Sequence, residues 1–414
     1  MVYRPTKQPP ISRETTIENA RKWLSIMRYG ESGTVIQLQD DCEYRVDEIL
    51  TNPSILKRFL GPYYRKFLLA YVPVAKMPFL EVVRTALLDL LETRKLKKPK
   101  DHLLVTSILT HIAREGFEIG LFITHVSELL NEAGFQSIFA LERILQKSRN
   151  LSVILYVEKD ITHPHYKVLT DKCSLLFDHI IKYPLYREKD VEQFFRYHEE
   201  LWNFKLAQKN KTDIIRACGG YLWLISHLMR NYRDNAKYDL NGIGQDDLLI
   251  KKLEVVWDKF SQSEREILIQ TVRQNLSDMD RSSHEFKYLC DIGILTLTAN
   301  SVKLNIPLLS LVIQRETEKN RLTVAESRIF LGTKDITASF TSKERALLSL
   351  LLGQKGRIAS RDAVGSALWK EKVEQMYSDW AIDRLVHRLR KKMNTLGIDS
   401  SLLKTSKRKG FIFG

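Results

Sequence analysis

Apolar positions along this chain follow two rhythms. Short continuous runs at Thr34–Gln39, Phe67–Val74, Ile119–Thr124 and Leu151–Val157 are rich in β-branched and aromatic residues and predict buried strands. Between them, Phe79–Thr93, His102–Glu115 and Ser137–Lys147 repeat apolar residues at helical spacing. The alternation predicts a parallel sheet between helical layers from Thr15 to about Tyr183. From Glu188 to Arg233 the pattern is helical throughout. A further segment, about Asp246–Glu316, opens with helix, contains the capping-box pattern Ser261-Gln-Ser-Glu264, and closes on the strand-like pair Ile294–Thr298 and Val302–Ile306. Helices followed by a short hairpin predict a small winged helix. Residues 317–324 read as a charged connection.

The last segment repeats that plan in fuller form. Arg328–Phe330 and Asp335–Ser339 flank a Gly332-Thr-Lys turn and predict a hairpin. Thr341-Ser-Lys-Glu344 starts a helix through Leu352, and Ser360 caps a second with Val364, Ala367 and Leu368 on its inner face. A third helix, capped by Ser378 or Asp379, carries the apolar stripe Ile382, Leu385, Val386, Leu389 and Met393. Arg384, His387, Arg388 and Lys391 recur at i, i+3, i+4, i+7 on another face. Leu402–Thr405 and Phe411–Phe413 enclose a basic tip at Lys407, Arg408 and Lys409. Such a stripe can lie in a major groove while a cationic hairpin meets the phosphate backbone. A basic stripe by itself is as well explained by a solvated helix face. Here it coincides with a complete helix-turn-helix and wing.

Charge sharpens the picture. The chain has 414 residues, 44% hydrophobic and 28% charged, with a formal net charge of +15. From Arg321 to Gly414 there are 19 Lys+Arg against 9 Asp+Glu, so +10 of that excess sits in the last quarter. An acidic partner is favoured there. The four cysteines, Cys42, Cys173, Cys218 and Cys290, are isolated and suit a reducing compartment better than a disulfide framework or zinc site. Met1–Pro10 is polar and proline-rich, unlike a signal peptide, and no apolar run is long enough to span a bilayer. A soluble, cytoplasmic protein without membrane partners is expected.

The last segment resembles the OmpR/PhoB-type effector domain of bacterial transcriptional regulators. Phe340-Thr-Ser-Lys-Glu344, Ser360-Arg361, Trp369, Val386-His-Arg-Leu-Arg-Lys-Lys392 and Lys404-Thr405 with Gly410-Phe411 carry the likeness. The resemblance implies base and phosphate contacts at Arg384, His387, Arg388, Lys391, Thr405 and Lys407, with Arg408 and Lys409 beside them on the wing. Trp380 stands near the helix start where the family often has arginine, and the loop Lys370–Tyr377 looks about two residues longer than usual.

The N-terminal region resembles the AAA+/STAND nucleotide-binding fold. The likeness lies in Ile11-Ser-Arg-Glu14 before a helix, the strand Leu151–Val157, and Cys218-Gly219-Gly220 followed by Tyr221-Leu-Trp-Leu224. That fold implies a phosphate loop ending in Lys-Ser/Thr after the first strand. Instead Asp40-Asp-Cys-Glu-Tyr-Arg-Val-Asp47 follows, whose carboxylates repel a triphosphate, and no Gly-Lys dipeptide occurs. The acidic pair expected after Ile119–Thr124 is also missing, for that stretch reads Thr124-His-Val-Ser-Glu128. The Asp40-Asp41 pair lacks the further Asp and Lys that a phospho-acceptor receiver needs. His163-Pro-His165 lacks a second ligand pair for a metal, and Arg94–Lys100 reads as a solvated turn.

The expected architecture is therefore multidomain α/β plus winged helices. It comprises a loose arm (1–14), a degenerate α/β core (15–185), a helical lid (186–240), a small winged helix (241–318) and an OmpR/PhoB-type winged helix (319–414). The expected function is a transcriptional regulator that binds specific double-stranded DNA, with a catalytically inactive NTPase-like region as sensor or scaffold and no cofactor. RNA polymerase and a second protomer stand as further partners. The rival readings are a replication-initiator-like ATPase that binds DNA and a protein-interaction adaptor.

Overall fold

A computed structural model describes residues 9–38, 46, 49–50, 52–74, 78–235, 238–299, 301–319, 322–325, 328–332, 334–354, 356–369, 378–396, 398, 400–406 and 409–413. The chain divides into two compact units, residues 1–312 and 313–414.

The first unit is built on a five-stranded sheet. Strands β1 (Gly33–Ile36), β2 (Phe67–Pro73), β3 (Glu118–Thr124), β4 (Leu151–Val157) and β5 (His179–Lys182) lie in the order β2-β3-β4-β1-β5. Every pairing is parallel. All seven residues of β4 are buried, as a strand covered on both faces requires. The opening helix, Arg13–Arg28, is capped by Ser12, whose hydroxyl accepts from Thr15 N at 3.3 Å and donates to Asp190 Oδ1 at 2.5 Å. Its Trp23 meets Phe122, Tyr156 and Tyr183 edge-on, with ring centroids 5.7, 5.7 and 6.0 Å apart. A Cβ at Gly120 would stand 2.6 Å from both Leu69 Cδ2 and Met27 Sδ. Only glycine lets this helix lie so close to β3.

Beyond β5 come helices Glu188–Leu201, Gln208–Cys218 and Leu222–Asp234, then Asp247–Trp257, Gln262–Val272, Asp278–Ser282 and His284–Asp291. The capping box at Ser261 and Glu264 is formed. Strands β6 (Leu295–Leu297) and β7 (Val302–Leu304) make the predicted antiparallel hairpin. The glycine turn after Cys218 is a crossing of three segments. Gly219 has φ +56, and a Cβ at Gly220 would fall 1.9 Å from Tyr186 O. Leu308 N donates to Ala217 O at 3.2 Å, and Leu185 N to Ile292 O at 3.1 Å. Cys173, Cys218 and Cys290 are free thiols, and burial pushes Cys173 up to about 12.

In the second unit the end of helix Leu309–Lys319 is followed by strands β8 (Leu322–Ala325), β9 (Arg328–Leu331) and β10 (Lys334–Asp335), antiparallel in the order β10-β9-β8. Two expectations change here. The predicted charged connection is helix as far as Lys319 and strand from Leu322, and the hairpin's second strand stops at Asp335, with Thr337–Ser339 wound into a 3-10 turn. Helices Ser342–Gly353, Arg361–Trp369 and Asp379–Thr395 follow, the first behind the predicted capping box of Thr341 and Glu344. Strand β11 (Ile358–Ala359) lies between the first two, and β12 (Leu403–Ser406) and β13 (Gly410–Phe413) close the chain in the order β11-β13-β12. Ile329, Phe340, Leu347, Leu351, Val364, Phe411 and Phe413 pack with the apolar stripe of the third helix into one core. Among the described residues no helix is long and apolar enough to cross a membrane.

Candidate nucleic-acid interface

The helix Asp379–Thr395 sets the geometry of the second unit. Ser378 caps it by accepting from Ala381 N at 3.1 Å. Ile382, Leu385, Val386, Leu389 and Met393 are all buried, which turns the opposite face to solvent. Arg384, His387, Arg388 and Lys391 are all exposed on that face. Among the described residues none of the four is paired with a carboxylate. The Arg384 guanidinium lies 5.2 Å from the ring centre of Trp380, which is 68% exposed at the head of the helix. A stacked arginine keeps its planar fork while losing less freedom on binding.

The neighbouring cations serve the unit itself. Arg390 donates to Leu403 O through Nε (2.9 Å) and Nη2 (2.7 Å), and to Thr405 Oγ1 at 2.9 Å. It thereby ties β12 to the helix. Lys392 pairs with Glu344 at 2.7 Å, and Glu344 also accepts from Thr341 N at 2.8 Å. Burial raises the Glu344 carboxyl, but Lys392 and the Thr341 bonds outweigh it and hold the group below its ordinary value. Arg361 binds Asp383 Oδ1 at 2.8 Å and Asp379 Oδ1 at 3.3 Å while lying over the Phe411 ring.

On the wing, Lys404, Thr405 and Lys409 are exposed. Lys409 N donates to Ser406 O at 3.0 Å, which shapes the turn between β12 and β13. Gly410 has φ +134, and a Cβ there would meet Ala359 O at 2.0 Å, so β11 and β13 can approach only over glycine. Lys407, Arg408 and the loop Lys370–Tyr377 lie outside the described residues.

Residues 335–413 match the family model "Transcriptional regulatory protein, C terminal". The second unit carries an OmpR/PhoB-type winged helix-turn-helix. The response regulator protein GraR of Staphylococcus aureus strain MRSA252 is 34% identical over 100 residues, which is 23% of this chain and 43% of that protein. The GraR protein of strain bovine RF122 / ET3-1 is 33% identical over the same shares. The chain thus spans less than half the length of these curated relatives. Two solved structures align with much of the chain. The Walker-type ATPase paby2304 of Pyrococcus abyssi aligns at a TM-score of 0.46 and 14% identity, over 75% of this chain and 98% of its own. The Aeropyrum pernix ORC2 protein aligns at 0.41 and 14%, over 76% and 98%.

In the first unit, the chain leaves β1 towards the far edge of the sheet and leaves β4 towards β5 on the opposite side. Open parallel sheets receive ligands outside the carboxyl ends of strands that diverge in this way. At that place the chain inserts a side chain of its own. Lys259 Nζ donates to Leu38 O at 2.9 Å and pairs with Glu158 Oε2 at 3.0 Å, with 9% of the lysine side chain exposed. Nothing local in the sequence signals this contact, since its partners lie about a hundred and two hundred residues away. Nearby, His284 Nε2 meets the buried Asp160 Oδ2 at 2.6 Å, and His163 faces Glu285 at 3.5 Å. Gln39–Arg45 and Asp47 lie outside the described residues. Among the described residues no three His, Cys, Asp or Glu side chains are grouped to hold a metal.

Proposed function

We propose that this chain is a cytoplasmic transcriptional regulator that reads specific double-stranded DNA with the second unit. The observation that carries the reading is the division of labour among the basic residues. Arg361, Arg390 and Lys392 are engaged internally, whereas Arg384, His387, Arg388 and Lys391 form an exposed stripe that pairs with no carboxylate among the described residues. The stripe reads base edges in the major groove, with arginine suited to guanine. Thr405, Lys407, Arg408 and Lys409 meet phosphates from the wing. RNA polymerase and a second protomer are the partners such a regulator implies.

In the same reading the first unit comprises an α/β core (15–185), a lid (186–240) and a small winged helix (241–318), and serves as a sensor or scaffold without ATP hydrolysis. The internal lysine and carboxylate at the β1–β4 crevice support this. The test is a binding titration at several salt concentrations on a duplex selected by the protein and on random duplex. Arg388→Ala weakens the selected duplex by about 1–3 kcal/mol and random duplex much less, whereas Lys409→Ala weakens both alike. Equal losses on both duplexes with Arg388→Ala would mean the helix touches only backbone. ATP turnover above background by the purified chain, abolished by Lys259→Ala, would contradict the scaffold role.

A further inference from the structure

The first unit carries an unexplained cationic surface. Between Glu48 and Glu81 the sequence has no acidic residue and five basic ones. Helix Pro53–Leu60, capped by Asn52, ends at Gly61 with φ 78 and presents Lys57 and Arg58 on its last turn. The 3-10 turn Tyr64–Lys66 then presents Arg65 and Lys66 immediately before β2. The opening helix adds Arg28 to Lys57, Arg58, Arg65 and Lys66, because a Cβ at Gly61 would stand 3.9 Å from Arg28 Nη2. Arg28, Lys57, Arg58, Arg65 and Lys66 are all exposed, and among the described residues none pairs with a carboxylate.

Aromatic rings are interleaved with these charges. Tyr63 is 66% and Tyr29 73% exposed. Lys66 lies 5.6 Å from the Tyr63 ring centre and Arg58 5.3 Å from that of Phe59, while Arg65 Nε donates to Tyr64 Oη at 3.3 Å. The rings hold the charged heads of Lys66 and Arg58 in place at the surface. The helix dipole accounts for Lys57 and Arg58 at a helix C-terminus, but not for Arg65 and Lys66 in a separate turn. Glu31 is held by His179 at 2.8 Å, and Glu118 stands opposite Phe67 on the next strand.

The geometry points to a second DNA-binding surface on the first unit, in which Arg28, Lys57, Arg58, Arg65 and Lys66 grip the phosphate backbone of a duplex without reading its sequence. Charge complementarity selects the occupant: clustered arginines, lysines and tyrosine hydroxyls are the donors that phosphates accept from. The surface lies apart from the β1–β4 crevice, since it precedes β2 and follows the opening helix, at the amino ends of the strands.

The test uses the full chain and a labelled 30-base-pair random-sequence duplex. Parent, a patch variant (Lys57→Ala, Arg58→Ala, Arg65→Ala, Lys66→Ala), a stripe variant (Arg384→Ala, Arg388→Ala, Lys391→Ala) and their combination are titrated at several KCl concentrations. Melting temperatures confirm folding, and the conservative Arg58→Lys, Arg65→Lys chain serves as a folded control that keeps the charge. The patch variant is expected to bind at least about tenfold more weakly in low salt, with a salt slope smaller by about two to four. The stripe variant retains salt-dependent binding that the combination loses. Unchanged affinity and slope in the patch variant, with the stripe variant losing all binding, overturns this surface and leaves the proposed function standing. The reverse pattern on random duplex upholds the surface, and the proposed role of the second unit is then decided by the stripe variant's affinity for the selected duplex. Binding to vesicles containing phosphatidylserine that the patch variant loses, with its DNA binding unchanged, overturns the surface in favour of a membrane.

Discussion

Arg390 is a structural cation set beside the exposed basic stripe proposed to meet DNA. Its guanidinium places two N–H groups on Leu403 O and one on Thr405 Oγ1, all within 2.9 Å. The two bonds to one carbonyl count as a single strong interaction. A hydrogen bond to a charged donor contributes about 1.5–3 kcal/mol when shielded, and the half-buried setting of Arg390 calls for the lower part of that range. Arg390→Ala therefore costs about 2 kcal/mol. In a unit of some hundred residues that lowers Tm by roughly 8–16 °C. Arg388, two positions away, is exposed and pairs with no carboxylate among the described residues, so Arg388→Ala should move stability by no more than about 0.5 kcal/mol. Thermal unfolding of a 313–414 fragment, followed by circular dichroism, reads the difference directly. DNA titrations should invert the order of specificity: Arg390→Ala loosens the wing and weakens all duplexes, while Arg388→Ala acts on the selected one. If Arg390→Ala melts within a degree or two of the parent, the helix-to-wing tie is not an energetic one and the division of basic residues fails.

Three further outcomes are expected. Residues 313–414 should fold alone and melt cooperatively, because they contain capped helices and their own core; a fragment without cooperative melting would show that the core is incomplete. Lys259→Met keeps the buried stem but strands Glu158 and Leu38 O, costing about 3 kcal/mol in denaturant titrations. A loss below about 1 kcal/mol, or no coupling with Glu158→Gln, would assign the pair to the solvated class. Burial among Phe194, Tyr197 and Trp202, with Arg230 adding repulsion, pushes His198 down to about 3 from an ordinary 6.5. The unfolded chain takes up that proton first, so stability is complete above pH 6.5 and is lost as pH falls towards 3. Between pH 7 and 5 the first unit should lose about 2 kcal/mol, and His198→Phe should flatten that loss. Identical pH profiles for the two proteins would refute it.

What could be read from the chain depended on local pattern. Strands β3 and β4 are near-continuous apolar runs because both faces are covered, and such runs stand out, whereas β2 is a comparable apolar run on the sheet edge with only Leu68 and Val72 buried. β5 escaped notice as a four-residue edge strand with mixed exposure, and β8 was hidden between charged neighbours. The third helix of the second unit was legible in detail, since five apolar residues at helical spacing fix which face turns inward. The separate roles of its cations were less so. At about 100° per residue, Arg390 and Lys392 fall on the flanks between the exposed stripe and the buried face. From there one reaches the wing and the other the first helix of the unit. Periodicity could have marked them as flank residues. Their partners, Leu403 and Glu344, required the tertiary structure.

Arg361 holds two carboxylates of the third helix with its guanidinium while covering the Phe411 ring on the last strand. Helix and terminal strand are thereby gauged against one side chain, as the jaws of a caliper are set by a single screw. In the proposed role, a duplex of the wrong groove width would meet a preset span rather than a wing that bends to it. Replacing Arg361 with a shorter residue would free the jaws, so that tolerance for variant duplex shapes rises even where affinity for the best one changes little.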